Sequence, residues 1–73
     1  MARTIYRVLP EGGDWKVTRS GTRLAGYARK DDAIDYGRRS ALADQPSQLV
    51  ISRADGTFET EYTYGNDPYP PPG

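Results

Sequence analysis

The 73-residue chain has no histidine and no cysteine. The usual nitrogen and sulfur ligands of a metal are therefore missing. No disulfide can staple the fold, and neither a Ser–His nor a Cys–His nucleophile can be assembled. Hydrophobic residues make up only 36% of the chain, and no apolar run approaches the roughly 20 residues of a membrane span. The opening stretch, Met1–Pro10, lacks the apolar segment of a secretory signal. A cytoplasmic location and no membrane partner are the expectation. No glycine-rich phosphate loop is present, because Gly12-Gly13 reads as a turn. Acid pairs occur at Asp31/Asp32 and Glu59/Glu61, but a one-helix domain has little room for the cleft a two-carboxylate hydrolase needs. Asp31, Asp32 and Asp35 lack the spacing of a calcium loop. These absences point to a non-enzymatic protein with no cofactor, no metal and no small-molecule substrate.

What is present is organised around one helix. In the stretch from Lys30 to Gln45, Ala33, Ile34, Gly37, Ala41 and Leu42 recur at helical spacing as one apolar stripe. Asp31 and Asp32 fall in the first turn, where the helix dipole favours negative charge. Arg29 stands at the N-cap and is a poor capping residue. Gly37 costs about 1 kcal/mol relative to alanine inside a helix, so it is expected where the helix approaches a sheet closely. A helix–helix contact between two copies is the other reading of the same small-residue stripe.

The remaining segments read as short strands. Thr4–Leu9, Trp15–Arg19 and Thr22–Tyr27 precede the helix, and Gln48–Arg53 and Thr57–Tyr62 follow it. Setting Leu9 opposite Asp14 places Val8 on Trp15 and Tyr6 on Val17. A two-residue Ser20-Gly21 loop places Val17 on Leu24 and Thr18 on Arg23. Asp55-Gly56 predicts a type I′ turn that pairs Arg53 with Phe58, Ile51 with Thr60 and Leu49 with Tyr62. Leu49, Ile51, Phe58 and Tyr62 then face the core, while Val50, Ser52, Glu59 and Glu61 point outward. The expected fold is α+β: a single antiparallel sheet of about five short strands with one helix on one face, in the order β-β-β-α-β-β. Trp15, Val17, Val8, Ile34, Ile51 and Phe58 are the expected core. Residues 1–64 form the domain and 65–73 a proline-rich tail. Pro68 and Pro71 have PxxP spacing with no basic neighbour, a weak signal for a proline-reading partner.

Net charge is zero but unevenly placed. Residues 1–30 hold seven bases and two acids, and residues 31–73 hold three bases and eight acids. Such asymmetry fits a polyanion partner, or neutralisation of one half by the other within the fold or between subunits. The register sets Arg7 opposite Lys16, with Thr18 and Arg23 on the same outward face. Arg7, Lys16, Thr18 and Arg23 are the candidate nucleic-acid contacts, with phosphate as the group they would meet. Zero net charge weighs against that reading. Its alternative is a homo-oligomeric interaction module with no nucleic-acid role.

GGDWKV, GYARKDDAIDYGRRSA and LVISRADGTFETEYTYGNDPYPPPG occur in an order that resembles the small bacterial family called domain of unknown function 2188. Gly13-Trp15, Ala33, Asp55-Gly56 and Tyr64–Pro68 carry the resemblance. Arg29 departs from it where the pattern favours a capping threonine. The resemblance implies a β-rich sheet with one helix and brings no activity and no site residue.

Overall fold

The computed structural model describes residues 3–65. The chain runs β1 (Thr4–Glu11), β2 (Asp14–Arg19), β3 (Thr22–Tyr27), α1 (Lys30–Ala43), β4 (Ser47–Ser52) and β5 (Phe58–Tyr64). The strands form one sheet in the order β3-β2-β1-β4-β5, and α1 rests on β1, β2, β3 and β4. The α+β class holds, but the sheet is mixed rather than antiparallel. Its central pair, β1 and β4, is parallel, with Tyr6 beside Leu49 and Val8 beside Ile51. Counting directions explains this correction. Two hairpins return β3 to the direction of β1, and α1 carries the chain back so that β4 runs that way again. Both free edges of the three-stranded meander point in that same direction. β4 therefore had to pair parallel whichever edge it joined. The proline-rich segment from Asn66 onward lies outside the described residues.

Small residues seat the helix. Ala33, Gly37 and Ala41 are its buried positions, and they meet Tyr6, Val8, Val17, Leu49 and Ile51 of the sheet. A Cβ placed on Gly37 would stand 2.9 Å from Leu49 Cδ1 and 3.6 Å from a Val8 methyl. The expected close approach is thus the reason for the glycine. Arg29 makes no side-chain cap, and Asp31 and Asp32 occupy the first turn. Trp15 and Ile34, expected in the core, pack against it only partly buried. Over the Trp15 ring sits the Lys30 ammonium, 5.0 Å from the centroid. Tyr27 and Tyr36 extend this aromatic edge, with ring centroids 5.8 Å apart.

Three register details differ from expectation, each at a turn or bulge. First, β1 continues through Pro10 and Glu11, so Gly12-Gly13 is the whole loop, with both φ angles positive (55 and 91). Val8 then lies opposite Val17 and Arg7 opposite Thr18, two residues away from the expected pairing. A slip of two keeps every side chain on its face. Second, a bulge follows Val17: Val17 pairs Ala25 and Thr18 pairs Arg23, so Leu24 is the extra residue and is 40% exposed. Third, Gly56 has the expected positive φ of 90, but Asp55 does not. The turn is therefore not type I′. Gly56 N–H donates to Arg53 O and Arg53 N–H to Thr57 O, which makes a three-residue loop with glycine in the left-handed position. The extra residue reappears as a bulge that sets Phe58 opposite Ser52. Phe58 is accordingly turned away from the helix and is 55% exposed, not core. Tyr62 does pair with Leu49, but it remains exposed because α1 does not extend over β5.

Candidate functional site

Side chains alternate across a strand. Because Tyr6, Val8 and Val17 point into the helix layer, Arg7, Leu9, Lys16 and Thr18 point to the opposite, uncovered face. One row crosses all five strands there: Arg23 opposite Thr18, Thr18 opposite Arg7, Arg7 beside Val50, and Val50 opposite Glu61. Ile5, Leu9 and Val50 are half-buried on this face, and Phe58 joins them through the β5 bulge. On β1, β4 and β5 the face therefore alternates Ile5, Leu9, Val50 and Phe58 with Arg7, Gln48, Ser52, Glu61 and Thr63, and further cations lie toward β3.

The four candidate residues do share this face, yet they differ in what they offer. Glu11 lies among them. Its carboxylate accepts from Arg23 Nε and Nη2 at 2.9–3.2 Å and stands 3.9 Å from Lys16 Nζ. The hydrogen bonds from Arg23 hold the Glu11 carboxyl below its ordinary value and raise Arg23. Two of the three cations are thereby already beside an anion. Arg7 makes no ion pair among the described residues. Thr18 is only 6% exposed, and its hydroxyl is buried with no hydrogen-bond partner among the described residues. Of the four candidates, Thr18 therefore presents the least surface. Setting Leu9 opposite Asp14 left Glu11 in the loop; pairing Glu11 with Asp14 across Gly12-Gly13 places it on this face.

A second cluster, on the helix side, was not anticipated. Tyr6 Oη donates to Asp44 Oδ2 at 2.9 Å. Arg19 Nε donates to both, each at 3.2 Å, and Arg19 Nη2 lies 3.1 Å from Asp44 Oδ2. Asp44 is the C-cap of α1, whose last turn has no basic residue. Arg19 thus brings from β2 the cation that a helix C-terminus favours. Burial, and then the Asp44 carboxylate, raise the Tyr6 hydroxyl, while the Tyr6 and Arg19 hydrogen bonds lower Asp44. The cluster is a clasp between helix end and sheet. Lys30 pairs with Glu59 at the other end of the helix. Between α1 and β5 runs an open groove of about 410 Å³, with Asp31, Asp35 and Arg38 on one wall and Glu59, Thr60 and Tyr62 on the other. Among the described residues, no group of three His, Cys, Asp or Glu is placed to hold a metal ion. No helix there is long and apolar enough to cross a membrane.

Fold and site together define a two-layer α+β domain with a helix on one side and, on the other, a mixed apolar and charged sheet face that is bare among the described residues. The chain belongs to the family described as "Uncharacterized protein conserved in bacteria (DUF2188)", whose model matches residues 6–64. No curated protein and no solved structure matches it.

Proposed function

We propose that this chain is a non-enzymatic interaction protein and that its uncovered sheet face binds another protein surface, in the first place a second copy of itself. The observation that carries this reading is the set of apolar side chains Ile5, Leu9, Val50 and Phe58 on one sheet face, which no second layer covers among the described residues, in a domain too small to have spare core. Sedimentation equilibrium from about 10 µM to 1 mM tests it, a span that covers affinities from the micromolar range to the millimolar. A single monomeric species throughout, with no protein partner recovered on the immobilised chain, overturns it.

A second reading, nucleic acid on the same face, is favoured by Arg7, which has no ion pair among the described residues and shares its row with Arg23. Anisotropy with labelled single-stranded and duplex DNA at low salt tests that reading. Binding through phosphates would weaken with salt at a log–log slope of about 0.9 per contact on duplex. Weighing against it are the Glu11 carboxylate beside Lys16 and Arg23 and the buried Thr18 hydroxyl.

A further inference from the structure

The charge and shape of the bare face specify how a second copy would sit. This inference rests on the self-association reading and adds its geometry. Along β1, Leu9, Arg7 and Ile5 face outward in sequence. Continuing the β1–β4 register by one residue sets Leu9 beside Ser52, which is paired with Phe58. Ile5 lies beside Gln48, which is paired with Thr63. Three rows therefore run from β1 across β4 to β5: Leu9–Ser52–Phe58, Arg7–Val50–Glu61 and Ile5–Gln48–Thr63. In each row the β1 and β5 residues stand one strand to either side of β4.

We infer that two copies pack face to face about a two-fold axis running along β4. Such an axis exchanges the two flanks of β4 while keeping each row in place. Arg7 of one copy then meets Glu61 of the other, and the reverse pair forms at the same time, as an isologous contact requires. Val50 meets its own counterpart between the two ion pairs. The same operation lays Leu9 over Phe58 and so covers the most exposed large apolar side chain of the described residues. Packed sheets stand about 10 Å apart, within the combined reach of an arginine and a glutamate. Aligned sheets cross at about 30°, which inclines the axis to β4 by about half that angle, displaces the outer rows and leaves the central Arg7–Val50–Glu61 row in register. Both charges are available in the single chain: Arg7 has no ion pair, and Glu61 accepts only from the Gln48 amide among the described residues. An axis perpendicular to the strands would instead put Arg7 on Arg7.

The arrangement leaves β2 and β3 outside the contact, so Lys16 and Arg23 take no part. It is also small. Three strands and five residues of length cover roughly 14 by 17 Å, below a standard stable interface, so the dimer belongs in the weak range.

Charge exchange tests the pairing. Sedimentation equilibrium is run on the parent, Arg7→Glu, Glu61→Arg, the double variant, Arg23→Gln and Phe58→Ser, with circular dichroism confirming that each is folded. Each charge reversal should weaken dimerisation about tenfold or more, because it sets like charges together. The double variant should return to within about threefold of the parent, the signature of a direct pair. Phe58→Ser should weaken the dimer, and Arg23→Gln should leave it unchanged. A dimer insensitive to Arg7 and Glu61, or one the double variant does not rescue, overturns this geometry and leaves the self-association reading standing. A parent that stays monomeric overturns both. A parent whose mass rises only when an oligonucleotide is added, with Arg23→Gln reducing that gain, assigns the face to nucleic acid instead.

Discussion

Removing one oxygen at Tyr6 tests how the helix end is held. Tyr6→Phe keeps the buried ring but leaves Asp44 and Arg19 without their shared partner. Hydrogen bonds to charged groups contribute about 1.5–3 kcal/mol; because Arg19 still reaches Asp44, a cost near the lower end is expected in urea melts. Asp44 in this cluster, with two carboxyls elsewhere, sets an acid limb. Asp44 and Asp55 sit below their ordinary value of 3.8, and Glu11 below 4.5. A carboxyl lowered in the folded state contributes stability that is complete above its unfolded value and is lost as pH falls through the folded one. The melting temperature should therefore hold down to about pH 4.5 and then decline, and Asp44→Asn should make that decline shallower. Thr18 works in the opposite sense. Its hydroxyl is buried without a partner among the described residues, so Thr18→Val, which replaces it with a methyl of like size, should be neutral or stabilising. A clear loss of stability would show that the hydroxyl holds an ordered water.

At the scale of elements, the helix was legible because its signals are local: two aspartates in the first turn and small residues at i, i+4 and i+8. Gly37 is the point where local and tertiary demands conflict. A side chain there meets Leu49, which is fully buried and has nowhere to move. Gly37→Val should cost about 1–3 kcal/mol, the range for overpacking a closed core, and a chemical melt equal to the parent's would place the helix farther from the sheet. Hairpin positions were legible too, since Gly12-Gly13, Ser20-Gly21 and Asp55-Gly56 all mark turns. Where the residues on either side of each turn would point was less so. The two-residue slip at Glu11 was harmless to the core because the period of a strand is two. The bulges at Leu24 and Glu59 were not harmless, because each adds one residue and reverses the faces beyond it. This is why Phe58 left the core and reached the open side. Alternation alone carries no mark of where a bulge will fall. The parallel central pair, by contrast, follows from the parity of three strands and one helix.

At the scale of the whole molecule, the opposite charges of the two halves are largely settled inside the fold. Arg19 meets Asp44 and Lys30 meets Glu59 across the halves, and Arg29 meets Asp31 at their boundary. Glu11 draws in two further bases from its own half. The sequence showed the imbalance but not this pairing, because partners distant in the chain are set by strand order. On the sheet face opposite the helix, Arg7 from the first half and Glu61 from the second make no ion pair among the described residues and are separated by Val50. If a second copy completes these pairs, association and folding are coupled, and the melting temperature must depend on protein concentration. Above the dissociation constant, a tenfold rise in concentration contributes about 0.7 kcal/mol per chain, roughly 3–6 °C for a domain of this size. The parent and Arg23→Gln should both show that shift in scanning calorimetry, and Arg7→Glu should show a smaller one over the same series. Concentration-independent melting of all three at concentrations where sedimentation also finds a monomer would overturn self-association through this face.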